Sequence, residues 1–106
     1  MFPFSFKSTF SSVDVNDLEE LFGKINLIDV REQYEYRSGH LPTAKNIPMG
    51  ELLNDPEKFL DKSKEYYIIC QSGSRSSRTC SMLKNSGYNV INVSGGTGRY
   101  SGSLKR

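Results

Sequence analysis

Cysteine and histidine are scarce in this chain of 106 residues, which has two of the first, Cys70 and Cys80, and one of the second, His40. That inventory offers neither the ligand number nor the spacing of a zinc site, and no metal or other cofactor is implied. Two cysteines in a chain without an export signal read as free thiols rather than a disulfide, because reducing compartments keep them so. Long apolar runs are missing too, and nothing approaches the ~20 residues of a membrane span. The first seven residues, Met-Phe-Pro-Phe-Ser-Phe-Lys, alternate aromatic with polar types and lack the basic and then apolar segments of a signal peptide. The expected location is the cytoplasm. Charge of one sign is also in short supply: the net charge is +2 and the basic residues are scattered, so neither nucleic acid nor a membrane surface is an expected partner.

What is present is the composition of one soluble globular domain, with 36% hydrophobic and 25% charged residues. Its length allows one core and therefore one site. Short apolar runs alternate with helical patterns, the signature of βαβ units and a parallel sheet. Strands are expected at Thr9 to Ser12, Asn26 to Val30, Ala44 to Ile47, Tyr66 to Ile69 and Tyr88 to Val93. The run at Tyr66, apolar on both faces, belongs in the sheet's centre. Asp14, Asp17, Leu18, Leu21 and Phe22 suggest a capped amphipathic helix ended by Gly23. Further helices are expected over Glu32 to Ser38 with Gly39 as the stop, in one or two turns between Glu51 and Asp61 broken at Asp55-Pro56, and over Ser74 to Asn85. Gly95 to Gly98 reads as a loop.

The informative stretch is Cys70-Gln71-Ser72-Gly73-Ser74-Arg75, where a buried strand gives way to small residues and then a helix. Such a loop lets successive backbone N–H groups turn inward, and the start of the following helix reinforces their positive field. An anion is the expected occupant. With cysteine leading the loop, the anion is its own thiolate, activated without a general base. Gly73 supplies backbone freedom. Arg75 supplies a forked cation, suited to a sulfonate-like or carboxylate group or to an acidic side chain that stiffens the loop. Asp29 and Arg31 read as cap and structural ion pair, His40 as a hydrogen-bonded structural residue, and Cys80 as a core thiol beside Leu83.

Three motifs carry a family resemblance. Asp29-Val-Arg-Glu32, then Glu35-Tyr36, then Gly39-His-Leu-Pro-Thr-Ala-Lys-Asn-Ile-Pro48 resembles the rhodanese signature; Cys70-Gln-Ser-Gly-Ser-Arg75 resembles the active-site loop of single-domain bacterial rhodaneses; and Gly95-Gly96 with Tyr100 resembles their Gly-Gly…Trp motif. The resemblance implies a five-stranded parallel α/β sheet with helices on both faces. The domain then runs over residues 9–100, with an N-terminal extension over 1–8 and a flexible tail over 101–106. It also implies a sulfurtransferase in which Cys70 takes a sulfane sulfur from a small-molecule donor (thiosulfate, a persulfide or a polysulfide) and passes it to a thiol or cyanide acceptor. A protein persulfide carrier is a further partner it allows. Within the family the loop amides hold the persulfide, which carries over to Gln71, Ser72, Gly73, Ser74 and Arg75. Two other readings stand beside it. A small cysteine phosphatase or arsenate reductase would use the same kind of loop with one more residue between cysteine and arginine; here four intervene and Ser76 stands where that arginine would fall. A non-catalytic binding or sensor module of the same fold is the third.

Overall fold

The computed structural model describes residues 10–106. The expected extension over 1–8 and Thr9, the start of the first expected strand, lie outside the described residues. Five strands form one sheet: β1 (Ser11–Asp14), β2 (Asn26–Asp29), β3 (Lys45–Asn46), β4 (Glu65–Ile69) and β5 (Asn89–Ser94). All pairings are parallel, in the order β1-β5-β4-β2-β3, so β4 is central. The helices are α1 (Gln33–Ser38), α2 (Met49–Asn54), α3 (Pro56–Phe59), α4 (Ser74–Asn85) and α5 (Gly96–Arg99). Among the described residues no helix is long and apolar enough to cross a membrane.

A central parallel strand must be apolar on both faces, and β4 is. Tyr66 and Ile68 point into one core with Leu52 of α2 and Cys80 and Leu83 of α4. Ile69 points into the other, with Val15, Leu18, Leu41 and Val93, against which Tyr36 of α1 and Tyr100 are packed. Helices therefore cover both faces, and each fully buried aliphatic side chain contributes about 1.5–3 kcal/mol through its removal from water.

The structure departs from the sequence expectations in three places. The helix expected from Asp14 to Phe22 is two 3-10 turns, Val15–Asp17 and Glu19–Leu21, with Leu18 ending one and starting the next. Val15 and Leu18, three apart, serve a 3-10 turn as well as an α-helix, so spacing could not separate the two. Gly95 to Gly98, expected as loop, contains the single turn α5. Residues 101–106, expected as a fraying tail, return to the body: His40 and Lys105 exchange backbone hydrogen bonds of 2.9 and 2.8 Å, and the Arg106 Nε donates to the Ser38 carbonyl.

Candidate active site

In a parallel sheet, loops at the carboxyl ends of the strands collect ligands where the winding direction changes. Cys70 stands there, immediately after the central strand β4, and is 1% exposed. A reacting group must therefore come to the floor of the loop, which favours a slender one. The Cys70 Sγ accepts hydrogen bonds from the backbone N–H of Gly73 at 3.1 Å and of Ser76 at 3.2 Å. The Ser76 hydroxyl lies 3.4 Å from it. Gly73 holds φ 109°, a left-handed value open to glycine, and this lets its N–H turn back onto the sulfur while it caps α4. Ser76 is the third residue of α4, whose N–H has no intrahelical acceptor and is free to reach the sulfur. The N–H groups of Ser74 and Arg75, orphans of the same first turn, find no acceptor among the described residues.

Burial alone would push the Cys70 thiol up. The Ser76 hydroxyl and the N–H groups of Ser76, Gly73 and Ser72 outweigh it, and the net direction is down. Cys80 shows the same burial without donors: desolvation, with the charge of Cys70 behind it, pushes that thiol up to about 12. The two buried thiols are thus shifted in opposite directions, Cys70 toward the thiolate and Cys80 away from it. Cys80 sits in the core with Leu83, as its sequence position suggested.

Two buttresses fix the loop. On the β2 side, Asp29 and Arg31 form a buried pair in which the Arg31 Nε and Nη2 reach the carboxylate at 3.1 and 2.9 Å. Arg31 also donates to the Gly39 carbonyl at 2.7 Å and to the Gln71 Oε1 at 3.1 Å, so the second loop residue is tied to the strand beside it. Asp29 accepts from the Arg31 N–H but does not cap α1; that position belongs to Glu32, whose N–H is taken by the Glu35 carboxylate at 3.0 Å. On the β5 side, the N–H groups of Thr97 and Gly98 donate to the carbonyls of Cys70 and Gln71, both at 2.9 Å. Gly96 permits this approach, for a Cβ there would stand 2.5 Å from each of those carbonyl oxygens.

Arg75 meets an acidic side chain: its Nη1 and Nη2 donate to the two oxygens of Glu35 at 2.8 and 2.9 Å, clasping the loop to α1. His40 is placed structurally, with its Nδ1 2.9 Å from the Tyr36 carbonyl and its ring stacked on Tyr36 with centroids 3.7 Å apart. The sequence reading therefore named Cys70, Gln71, Gly73, Arg75 and the Asp29–Arg31 pair in positions that the fold brings together. It missed Glu35 as the partner of Arg75, and Ser76, whose N–H and hydroxyl both address the sulfur. A signal for Ser76 existed: the third residue of a helix that starts one position after Gly73 must turn its N–H back toward the preceding strand end.

The model of the rhodanese-like domain family matches residues 14–102. YtwF of Bacillus subtilis, provisionally named a sulfurtransferase, is 45% identical over 89 residues, covering 82% of this chain and 80% of that protein. The crystal structure of SSP1007 from Staphylococcus saprophyticus superposes with a TM-score of 0.80 at 32% identity, over 92% of this chain and all of the other. A rhodanese-like domain protein from Staphylococcus aureus superposes with a TM-score of 0.77 at 30% identity, over 91% of this chain and 97% of its own.

Proposed function

Since the chain belongs to the rhodanese-like domain family, we propose that it is a sulfurtransferase whose carrier is Cys70. The observation that carries this reading is the convergence of the Gly73 and Ser76 N–H groups on a buried Sγ. Donors fixed before reaction hold negative charge on sulfur without any reorganisation when it forms.

In the first step the Cys70 thiolate attacks the outer sulfur of a donor such as thiosulfate, a persulfide or a polysulfide. The bond between that sulfur and the rest of the donor breaks, and its electron pair leaves as sulfite or a thiolate. The product is a persulfide whose charge lies on the outer sulfur, within reach of the loop amides from Gln71 to Arg75. In the second step an acceptor thiolate or cyanide attacks the outer sulfur, the sulfur–sulfur bond breaks, and the electron pair returns to Sγ. Arg75, neutralised by Glu35, serves to hold the loop's shape. Small-molecule donors and thiol acceptors are the expected partners, with a protein persulfide as an alternative donor, and the expected location is the cytoplasm.

The test is intact-mass spectrometry after exposure to thiosulfate, polysulfide or glutathione persulfide. The native protein should gain the mass of one sulfur, lose it on addition of cyanide, and fail to gain it as Cys70→Ser. A native protein that takes up sulfur from none of these donors, or a Cys70→Ser variant that takes it up equally, overturns the reading.

A further inference from the structure

We propose that the Ser76 hydroxyl is a switched donor that serves the discharge of sulfur, stabilising the Cys70 Sγ as it departs as a thiolate. This rests on Cys70 carrying sulfur as proposed above. Ser76 is fully buried, and its Oγ lies 3.4 Å from Sγ and 3.1 Å from the Gly73 carbonyl oxygen. In the neutral state the thiol donates to the Ser76 Oγ and the hydroxyl donates to the Gly73 carbonyl. That carbonyl has a second donor, the Ser77 N–H at 3.0 Å, so it stays satisfied if the hydroxyl turns away. Once Sγ is ionised it has no proton to give. Rotation of the hydroxyl hydrogen alone, with no heavy atom moving, then brings a third donor onto the sulfur beside the N–H groups of Gly73 and Ser76.

The two half-reactions use this donor unequally. In the persulfide the charge sits on the outer sulfur and Sγ is neutral, so the hydroxyl has no anion to meet. During discharge the electron pair of the breaking bond collects on Sγ, and the hydroxyl follows it. During loading the same donor holds charge that must flow out of Sγ, and the lower basicity of the thiolate costs it nucleophilicity. Ser76 is therefore a catalytic residue of the second step. The charged and titratable groups around the sulfur leave its titration readable: Arg75 is held by Glu35, and Cys80 stays protonated to about 12.

The experiment compares the native protein with Ser76→Ala and Ser76→Thr. It follows the Cys70 Cβ resonance against pH, and by rapid mixing it follows loading from thiosulfate and discharge to a small thiol separately. Loss of a hydrogen bond to a charged group should raise the Ser76→Ala titration midpoint by about one pH unit and slow discharge about tenfold or more, with loading above both midpoints within about twofold. Ser76→Thr, which keeps the hydroxyl, should restore the native split. Equal slowing of both half-reactions, or a midpoint that does not move while the native protein loads sulfur, overturns this inference alone. A native protein that takes up no sulfur overturns the discharge role together with the reading it rests on. Should Ser76→Ala not fold, the native protein still decides the matter: the hydroxyl-sensitive Cβ resonance of Ser76 must titrate with that of Cys70, and one that stays fixed overturns the switch.

Discussion

Thr43 holds φ 68°, a left-handed value, in the turn where the Ala44 N–H donates to the Leu41 carbonyl. Pro42 before it suits the second position of a type II turn, whose third position favours glycine. A β-branched residue there is strained by roughly 1–2 kcal/mol, whereas glycine would add roughly 0.5–1 kcal/mol of unfolded-state entropy, so strain wins. Thr43→Gly should stabilise the fold by about 0.5–1 kcal/mol in urea denaturation, and a destabilised variant would show that the threonine side chain has a compensating role. Gly96 is the opposite case. A methyl group there meets the Cys70 and Gln71 carbonyls, which already accept from Thr97 and Gly98. Gly96→Ala should cost about 2–4 kcal/mol and abolish sulfur loading; near-native loading would contradict the buttress. The sequence shows two adjacent glycines, but the carbonyls they accommodate are some 25 positions earlier in the chain, and only the sheet brings them together. The places of Cys70 and Gly73 in the fold were legible because strand end, cysteine and turn are contiguous. The contact of Ser76 with the sulfur is not legible there, because the Cys70–Arg75 motif ends one residue short of it.

At the scale of elements, α1 and β2 hold the active loop through two ion pairs of different character. Asp29 and Arg31 are buried, and removing one partner strands a charge without water. Arg31→Met should destabilise by about 3–5 kcal/mol and release Gln71 from its anchor. Glu35 and Arg75 are partly open to solvent, so their pair is worth at most about 1 kcal/mol at neutral pH. Its signature is in acid. The Arg75 hydrogen bonds, opposed by desolvation and helped by the Glu32 N–H and the charges of Arg75 and Arg31, lower the Glu35 carboxyl from 4.5 to about 2. A depressed folded value means that the unfolded chain takes up the proton first. The contribution is complete above the unfolded value and lost as pH falls toward the folded one. Between roughly pH 5 and pH 2 the native protein should lose stability more steeply than Glu35→Gln, as read by denaturant midpoints across that range; parallel curves would remove the pair from the account of acid stability. Both elements were visible in the sequence, α1 from its Gly39 stop and β2 from its apolar run. The clasp between Glu35 and Arg75 was not, for it joins residues 40 positions apart whose long side chains leave no periodic trace.

Across the whole molecule, the Cys70 loop is held by long-range supports, the β2 side and α1 on one flank and α5 on the other, while the Gly73 and Ser76 N–H groups at the start of α4 meet the sulfur itself. The parallel order makes this possible, since β4 is central and the loops after β2 and β5 flank its own. The last six residues lie outside this frame. They bridge α1 to the first 3-10 turn: Lys105 pairs with His40, Leu104 covers Gly39, Ser101 donates to the Asn16 Oδ1 at 2.8 Å from its backbone and 3.0 Å from its hydroxyl, and Gly102 lies against the Tyr100 ring, which meets Phe22 edge-on. A polar sequence with two serines and two cations gave no sign of this, because the pairing is made by the backbone and by one leucine. A chain ending at Tyr100 should lose the His40–Lys105 backbone pair, the exposed Ser101–Asn16 and Arg106–Ser38 hydrogen bonds and the cover over Tyr100, about 1–3 kcal/mol in all. It keeps Gly96 to Gly98, the part that touches the loop. Its melting temperature should therefore fall while its rate of sulfur loading, measured well below that temperature, stays within about twofold of native. Loss of loading in a truncated protein that is still folded would mean that the C-terminal strap reaches the Cys70 loop through Gly39, which touches both Leu104 and Arg31.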